Sequence, residues 1–327
     1  MKEIVITKDK SNQRADKFVR RFLNDAPLSF IYKIFRKKDV KVNNHRIKEN
    51  YILQENDVLK IFVTDTQLAE FNNPKKIEDI KLNFGIVYED ENILIANKPK
   101  GLLIHGDESE KRTTLSNMVL SYLYKKGEYK NNLEGFIPSP CHRLDRNTSG
   151  LVIFGKNVIS SQIIMNLFKE HTNVIKTYYA LLDGKVEESG KIEAPLLKDE
   201  KTGFVKVQSI SKGAKRATTS YKLVQFEKNM SLVEATLITG RTHQLRVHFS
   251  YINHPIIGDQ KYGNFDVNKK FDSKFNYHYQ FLHAYKLEFK NVPFELSYLN
   301  GKTFVAPLFN KDKEILMKLG FKTNAIV

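Results

Sequence analysis

The sequence lacks the patterns by which many cofactor and metal enzymes are recognised. It contains no G-x-x-x-x-G-K-[ST] phosphate loop, no G-x-G-x-x-G dinucleotide turn, no pair of cysteines and no H-E-x-x-H. The sequence therefore contains none of these common signatures of a nucleotide, redox-cofactor or zinc site. Three histidines, His243, His248 and His254, are the obvious candidates for metal ligands, but the neighbouring arginines would repel a cation.

Cysteine and long apolar runs are also scarce. With Cys141 as the one cysteine, no intramolecular disulfide can form, which favours a reducing compartment. No apolar run approaches the roughly 18 residues that span a bilayer, and the charged first ten residues contain no signal-peptide core. These absences predict a cytoplasmic protein without a membrane partner.

Positive charge, by contrast, is in excess. The 327 residues include 53 Lys and Arg against 37 Asp and Glu, a formal net charge of +16. Residues 27–48 hold seven Lys/Arg and one acid, and residues 201–222 hold six and none. Such clusters favour a polyanionic partner over the alternative, a uniform Lys-rich bias of composition.

Residues 141–157 carry the most informative pattern, CHRLDRNTSGLVIFGKN. Asp145 lies between Arg143 and Arg146, a polar turn follows, and the apolar run 151–154 predicts a buried strand. Neighbouring cations favour the ionised carboxylate, which can act as nucleophile or base. Taken alone, the pattern favours the simpler alternative, a surface aspartate paired with a neighbouring arginine.

Four more stretches stand out: KPKGLLIH at 98–105, KTYYAL at 176–181, GRTHQLRVH at 240–248 and HPIIGDQKYG at 254–263. The second predicts a strand, on which neighbours face opposite sides. Only one of Tyr178 and Tyr179 can therefore face a site near Asp145. The third predicts a turn at Gly240 that leads from a strand into a helix.

Together these stretches resemble the RluA-type pseudouridine synthases, from about residue 14 to about residue 307. Departures are Gly106, where proline is common, and residues 291–293, where the family closes with His-Pro. The resemblance implies an RNA pseudouridine synthase, an isomerase that breaks the glycosidic bond of a uridine, turns the uracil and rejoins it through C5. It also implies that no cofactor is needed.

The resemblance further implies roles for individual residues. Asp145 is the catalytic residue, Tyr178 stacks on the target base, and Arg246 pairs with Asp145, with Arg241 as the lesser candidate for that role. Arg143 fills the space left by the flipped base. The expected RNA contacts of this domain are Arg143, His142 and Arg241. Whether Asp145 attacks C1′, takes a proton from C2′ or attacks C6 of the uracil stays open.

The first 66 residues predict a separate unit. Residues 13–24 and 30–38 have helical periodicity, and Ser29 is a candidate cap for the second helix. Residues 40–47 predict a hairpin around Asn43-Asn44, and residues 58–63 predict a closing strand.

This unit resembles the ribosomal-S-four-type RNA-binding domain, although glycine is common there where Lys38 or Asp39 and Asn56 stand. The residues expected to meet phosphates are Lys33, Arg36, Lys37 and Lys41. The alternative for them is a solvated basic face without a ligand.

The predicted fold is therefore α+β. A small ribosomal-S-four-type domain occupies 1–66, a polar linker 67–82, and a pseudouridine synthase domain with a central mixed, mainly antiparallel sheet 83–327. Cys141, beside the main motif, is expected to be a small buried thiol rather than a nucleophile.

The substrate is predicted by a resemblance within the family. The basic N-terminal unit resembles the RluC branch, which modifies large-subunit ribosomal RNA, and we expect a monomer that binds this RNA. Three alternatives remain: a transfer RNA pseudouridine synthase, a non-catalytic RNA-binding factor of ribosome assembly, and a metal-dependent RNA hydrolase.

Overall fold

An antiparallel sheet in the strand order β1-β6-β3-β4 forms the N-terminal unit. The structure is a computed structural model and describes residues 1–74, 77–131, 133–170 and 173–322. The elements of this unit are β1 (Lys2–Val5), β2 (Gln13–Arg14), α1 (Ala15–Phe22), α2 (Leu28–Arg36), β3 (Val40–Val42), β4 (His45–Arg46), β5 (Ile52–Leu53), β6 (Val58–Ile61) and α3 (Asp65–Phe71). Apolar side chains of α1, α2 and the sheet enclose one core.

The hairpin predicted between residues 40 and 47 is confirmed. Asn43 and Asn44 connect β3 to β4 with φ values of 50° and 67°, as a two-residue hairpin turn requires. Lys38 and Asn56 also have positive φ, 65° and 70°. The chain therefore forms these two left-handed turns without glycine, which for Lys38 costs about 1–2 kcal/mol.

The second helix begins before the predicted residue. Pro27 is the N-cap of α2 and no side chain caps the helix, so the prediction that Ser29 caps it is wrong. Because proline has a fixed φ and no N–H, the chain can enter the helix directly after Pro27.

Helix α3 was not predicted from the sequence. Thr64 and Gln67 form a reciprocal capping box at its start, and Phe71 packs on Phe30 with ring centroids 4.9 Å apart. The predicted linker 67–82 thus begins inside a helix of the N-terminal unit. Two of its residues, Lys75 and Lys76, lie outside the described residues, as do the last five residues of the predicted catalytic domain.

Polar contacts fasten the N-terminal unit to the rest of the chain. The Glu134 carboxylate accepts a hydrogen bond from Lys10 at 3.0 Å and pairs with Lys2 at 3.6 Å. Gln162 Nε2 donates to the carbonyl oxygen of Asn12 at 2.6 Å. All three contacts bridge more than a hundred residues of sequence.

A ten-stranded sheet organises the remainder, in the order β12-β15-β16-β11-β17-β10-β8-β7, with β18 added to β17 and β9 to β10. Its strands are β7 (Gly85–Glu89), β8 (Ile93–Lys98), β9 (Ser139–Pro140), β10 (Ser149–Gly155), β11 (Val174–Asp183), β12 (Ser189–Glu193), β15 (Thr218–Glu227), β16 (Met230–Leu237), β17 (Leu282–Phe289) and β18 (Thr303–Val305). Strands β10 and β17 run parallel, whereas the other pairs are antiparallel. The predicted mixed, mainly antiparallel sheet is confirmed.

Helices and a small hairpin surround this sheet. They are α4 (Leu115–Lys125), α5 (Val158–Glu170), the β13–β14 hairpin (Leu196–Lys198 and Val205–Val207), α6 (Gln244–Tyr251), α7 (Phe265–Phe275) and α8 (Asn310–Leu319). In the part of the chain that the structure describes, no helix is long and apolar enough to cross a bilayer.

The two faces of the sheet bury different cores. Along β11, Tyr178 and Ala180 join the core under α4 and α6, whereas Tyr179 and Leu181 join the core under α7 and α8. Alternation along the strand thus sends Tyr178, and not Tyr179, to the side of the sheet where α6 lies.

Candidate active site

The turn that carries Asp145 is fixed by its neighbours. The Thr148 N–H donates to the Asp145 carbonyl at 3.1 Å, and Gln280 Nε2 donates to Thr148 Oγ1 at 3.1 Å. Gly150, with φ of 113°, lies so close to β17 that a Cβ there would be 2.2 Å from the carbonyl oxygen of Ala284. Only glycine fits at this position, so the strand behind Asp145 is held directly against β17.

Arg246, on α6, connects Asp145 to a second carboxylate. Its Nη1 donates to Asp145 Oδ2 at 3.0 Å, and its Nε and Nη2 donate to the two oxygens of Asp259 at 2.7 and 2.9 Å. The Asp259 side chain is 1% exposed, that of Arg246 9% and that of Asp145 30%. The pair therefore leaves Asp145 oriented and open to the cleft.

The charges of this cluster depend on one another. Burial opposes the charge on Arg246, but Asp259 and Asp145 together raise its pKa above the ordinary value. Burial likewise opposes the charge on Asp259, and hydrogen bonds from Arg246 hold its pKa below the ordinary range. Arg246 is thus cationic beside Asp145 at neutral pH.

Asp145 opens into a cleft of about 540 Å³, lined among others by Arg143, Tyr178 and His243. Tyr178 is 7% exposed, and burial together with the charge of Asp145 raises the pKa of its hydroxyl. It presents a neutral aromatic ring to the cleft. Arg143 is exposed at the cleft wall, where no acidic side chain of the described residues pairs with it.

Arg241 and His142 also line the cleft, but protein groups hold both. Arg241 Nε donates to the Arg216 carbonyl at 3.0 Å, so Arg246 rather than Arg241 is the arginine placed against Asp145. The His142 ring stacks on Phe168 at 4.2 Å, and its Nε2 accepts the Ile153 N–H at 3.1 Å. The assignment of both residues to RNA stays a prediction.

His243, the N-cap residue of α6, approaches the same oxygen of Asp145 as Arg246 does. Its Nε2 is 3.7 Å from Asp145 Oδ2, and its Nδ1 hydrogen-bonds the Tyr262 hydroxyl at 2.9 Å. That hydroxyl also accepts the Val205 N–H at 2.9 Å, which joins the β13–β14 hairpin to the cleft. Sequence analysis considered His243 only as a metal ligand.

The three histidines considered as metal ligands have separate partners. His248 is bonded to Thr219 Oγ1 and the Ala194 carbonyl, and His254 to the Asp183 carbonyl. Cys141 is buried, as predicted, and burial raises the pKa of its thiol to about 12.

The basic residues predicted in the N-terminal unit lie at its surface. Lys33, Arg36 and Lys37 are exposed on or just after α2, and none of them pairs with an acidic side chain in the ranges that the structure describes. Lys41 is half-buried, with its ammonium 4.9 Å from the centroid of the Phe62 ring.

Comparison with known proteins places this geometry in a family. The sequence model described as RNA pseudouridylate synthase matches residues 92–251. An uncharacterized RNA pseudouridine synthase of Mycoplasma capricolum is 38% identical over 93% of this chain and 97% of its own. The chain belongs to the RluA-type pseudouridine synthases. It is therefore an RNA-modifying isomerase, as the motifs predict.

Other pseudouridine synthases are similar along nearly the same length. Ribosomal large subunit pseudouridine synthase C of Haemophilus influenzae is 34% identical over 98% of this chain and 95% of its own. Among solved structures, human RNA pseudouridylate synthase domain containing 4 superimposes with a TM-score of 0.59 and 25% identity, over 73% of this chain and 94% of its own. The large sheet is thus the pseudouridine synthase fold.

Sequence reasoning missed two charged residues of this pseudouridine synthase. Asp259 belongs to the motif at 254–263 and was assigned no role, yet it accepts two of the three side-chain hydrogen bonds that Arg246 donates to Asp145 and Asp259. Lys98 is fully buried, and its ammonium donates to the carbonyls of Pro99, Leu102 and Arg146, each at 2.9 Å. Burial lowers the pKa of Lys98 to about 7, although the charge of Asp145 opposes this.

The common signal for both was a charged residue close to the end of an apolar segment. Lys98 ends the buried strand β8, and Asp259 follows an apolar pair before a tight turn. Charged residues are almost never fully buried without partners, so a charge in such a place implies specific bonds. Nothing in the sequence showed which partners these would be.

Proposed function

We propose that this pseudouridine synthase isomerises uridines of large-subunit ribosomal RNA, with Asp145 as its catalytic residue. The observation that carries the proposal is the Asp145 carboxylate, held by Arg246 at 3.0 Å and open to a cleft that contains an aromatic ring. The choice of RNA is supported by the relative from H. influenzae, whose name states that it acts on the large ribosomal subunit.

The reaction sets clear requirements. The C1′–N1 bond breaks, a C1′–C5 bond forms, the proton on C5 leaves and N1 gains a proton. In our proposal the carboxylate of Asp145 acts on the ribose, either at C1′ as nucleophile or at C2′ as base. The hydrogen bond from Arg246 at 3.0 Å orients it, and such positioning is a major source of rate.

The target base must first leave its stack. Flipping costs a few kcal/mol, which stacking and backbone contacts recover. Tyr178 would receive the flipped uracil on its ring, and Arg143, exposed at the cleft wall, would fill the space left in the RNA. The cleft of about 540 Å³ is large enough for one nucleoside.

The N-terminal unit would hold RNA outside the cleft. We propose that residues 1–66 form a ribosomal-S-four-type domain and that Lys33, Arg36, Lys37 and Lys41 contact phosphates. Its exposed cations support this, because phosphate contacts position an RNA without reading its sequence. His142 and Arg241 would be secondary contacts at the cleft wall.

The test is release of tritium from ribosomal RNA labelled at uridine C5. We expect the wild type to release tritium in the presence of EDTA, and Asp145→Ala to release at least about 10²-fold less while binding the RNA equally well. Equal release by the two proteins would refute the role of Asp145. Release from transfer RNA but not from ribosomal RNA would refute the proposed substrate and leave the reaction intact.

A further inference from the structure

The loop at the tip of the β13–β14 hairpin is rigidly built. The Asp199 carboxylate accepts the N–H groups of Lys201 and Thr202 at 2.9 and 3.1 Å. The Asp199 N–H donates to the Phe204 carbonyl at 2.8 Å, and the Gly203 N–H donates back to the Asp199 carbonyl at 2.8 Å. A loop closed by four such bonds presents its side chains in a defined direction.

Phe204 is the aromatic residue of this loop, and it is half exposed at 50%. The ammonium of Lys261 lies 4.1 Å from its ring centroid, within the range of a cation–π contact. The same ammonium donates to the Gly203 carbonyl at 2.8 Å, which fixes it under the ring. Tyr262 meets the ring edge to face at 5.9 Å. The ring is therefore held from below and from one side while half of the residue stays open.

The position of this ring relates it to the reaction. Gly203, next to Phe204, lines the cleft that contains Asp145, and so does Lys198 at the end of β13, directly before the loop. Tyr262 reaches from Phe204 to His243, which is 3.7 Å from Asp145. The open ring thus stands at the rim of the cleft, one short chain of contacts away from the catalytic carboxylate.

The charge around the ring is suited to nucleic acid. Lys201 and Lys206 are exposed on the hairpin, and Lys261 adds a third cation beneath the ring. Two acids are also present, but Asp199 is occupied by the loop backbone and Glu200 pairs with Lys198. Aromatic rings set among cations are the usual platform for unpaired nucleic-acid bases.

We propose that Phe204 is a stacking platform for the RNA base adjacent to the target uridine. Flipping a uridine breaks its stacking on both neighbours, and a fixed aromatic ring at the cleft rim can replace one of these contacts. The inference rests on the proposed function only in that single-stranded RNA must enter the Asp145 cleft. It does not depend on which RNA is modified or on the chemistry of Asp145.

The chain has no tryptophan, which allows a direct test by fluorescence. Phe204→Trp places a single tryptophan at the platform, and we expect a short oligouridylate to quench its emission on binding. Phe294→Trp is the matched control, because Phe294 is 90% exposed but does not line the cleft. Its emission should not change.

Inorganic polyphosphate separates stacking from simple charge attraction. We expect it to bind without quenching Phe204→Trp, since it has no bases. Equal quenching by polyphosphate and oligouridylate, or equal quenching of the two tryptophan variants by RNA, would overturn the proposal.

Kinetics give a second readout. Phe204→Ala should raise KM for RNA by about 5- to 150-fold, the equivalent of one lost base–aromatic stack, with kcat unchanged. Phe204→Tyr should restore KM, and Phe294→Ala should leave it at the wild-type value. An unchanged KM in Phe204→Ala would contradict the proposal.

The same fluorescence experiment in an Asp145→Ala background distinguishes the two hypotheses. Quenching should persist there, because binding does not require the reaction. Quenching together with no isomerisation by the wild type would refute the proposed function and support the platform. Isomerisation by the wild type without quenching of Phe204→Trp would support the proposed function and refute the platform.

Discussion

The Asp145 cleft and the basic surface of α2 use charge in opposite ways. In the cleft, Asp145, Arg246 and Asp259 form a chain of paired charges, two of them almost completely buried. On α2, Lys33, Arg36 and the following Lys37 are exposed and, among the described residues, lack acidic partners. In the cleft the charged side chains pair with one another, whereas on α2 they are available to a ligand.

This contrast separates positioning from attraction. A buried, hydrogen-bonded pair fixes a reacting group in space but contributes little to long-range attraction. Exposed unpaired cations attract a polyanion and release its counterions, and they need no fixed geometry to do so. Substitutions in the two regions should therefore have different effects. Those in the cleft should change the free energy of unfolding and kcat, and those on α2 should change the affinity for RNA.

The largest effect is expected for Arg246→Ala. It leaves Asp259 buried without its main partner, so the free energy of unfolding should fall by about 3–5 kcal/mol. The rate should fall by about 10²-fold or more, because Asp145 loses its orientation. Chemical denaturation and tritium release measure the two. Arg143→Ala, an exposed arginine of the same cleft, should leave the melting curve unchanged, and an unchanged curve for Arg246→Ala would contradict the pairing.

The triple substitution Lys33→Ala, Arg36→Ala and Lys37→Ala should act on binding alone. We expect weaker RNA affinity and a salt dependence reduced by about 0.7–0.9 for each lost phosphate contact. Titrations at several salt concentrations, with kcat at saturating RNA, test this. If kcat falls while the salt dependence of RNA affinity stays unchanged, α2 contributes to catalysis rather than to binding, and the two regions do not differ as proposed.

Low pH should lower the free energy of unfolding, because His142 beside the cleft is buried in the folded protein. Burial, and secondarily the charge of Lys176, lowers its pKa to about 3 from an ordinary 6.5. The unfolded chain thus takes up a proton below pH 6.5 that the folded chain excludes, so stability is lost as the pH falls from 6.5 towards 3. Between pH 7 and 5 the loss is about 2 kcal/mol for this residue.

Denaturant midpoints at pH 7 and pH 5 measure this loss. His142→Gln retains an acceptor for the Ile153 N–H but cannot be protonated, so its stability should decline less steeply. Identical slopes for the variant and the wild type would show that His142 does not carry the effect.

The smallest effect is expected for Cys141→Ser. Because burial raises the pKa of the thiol to about 12, it is not a nucleophile at neutral pH, and the rate of tritium release should stay within about two-fold of wild type. Loss of activity with an unchanged melting curve would contradict this prediction and show that the thiol takes part in the reaction.

The sequence predicted the elements that local patterns specify. Alternation on β11 predicted that only one of Tyr178 and Tyr179 faces the cleft, and the family resemblance pointed to Tyr178. Asn43-Asn44 predicted the hairpin, since side-chain direction and turn type depend on neighbouring residues only. Helix α3 was missed because Leu68 and Phe71 are isolated apolar residues in a polar stretch. Their packing partners, such as Phe30, lie far away in the sequence.

The residues of the site likewise divide into those that local motifs identify and those that only contacts across the fold bring together. Asp145 and Arg246 were found through the motifs that contain them. The partners Asp259, Lys98 and Tyr262 were not, because hydrogen bonds across the fold connect residues whose separation in the chain carries no signal. Ser29 was assigned as a cap from its residue type, whereas Pro27 two residues earlier determines where the helix begins.

The bonds between Glu134 and the N-terminal lysines have a geometric consequence. With Lys10 at 3.0 Å and Gln162 tied to Asn12 at 2.6 Å, the basic surface of α2 is held at a set offset from the Asp145 cleft. If the α2 surface and the cleft bind the same RNA molecule, this fixed offset relates the RNA segment bound at α2 to the uridine in the cleft. The enzyme would then select uridines by their distance from the RNA segment bound at α2, and the contacts of Glu134 would determine that distance.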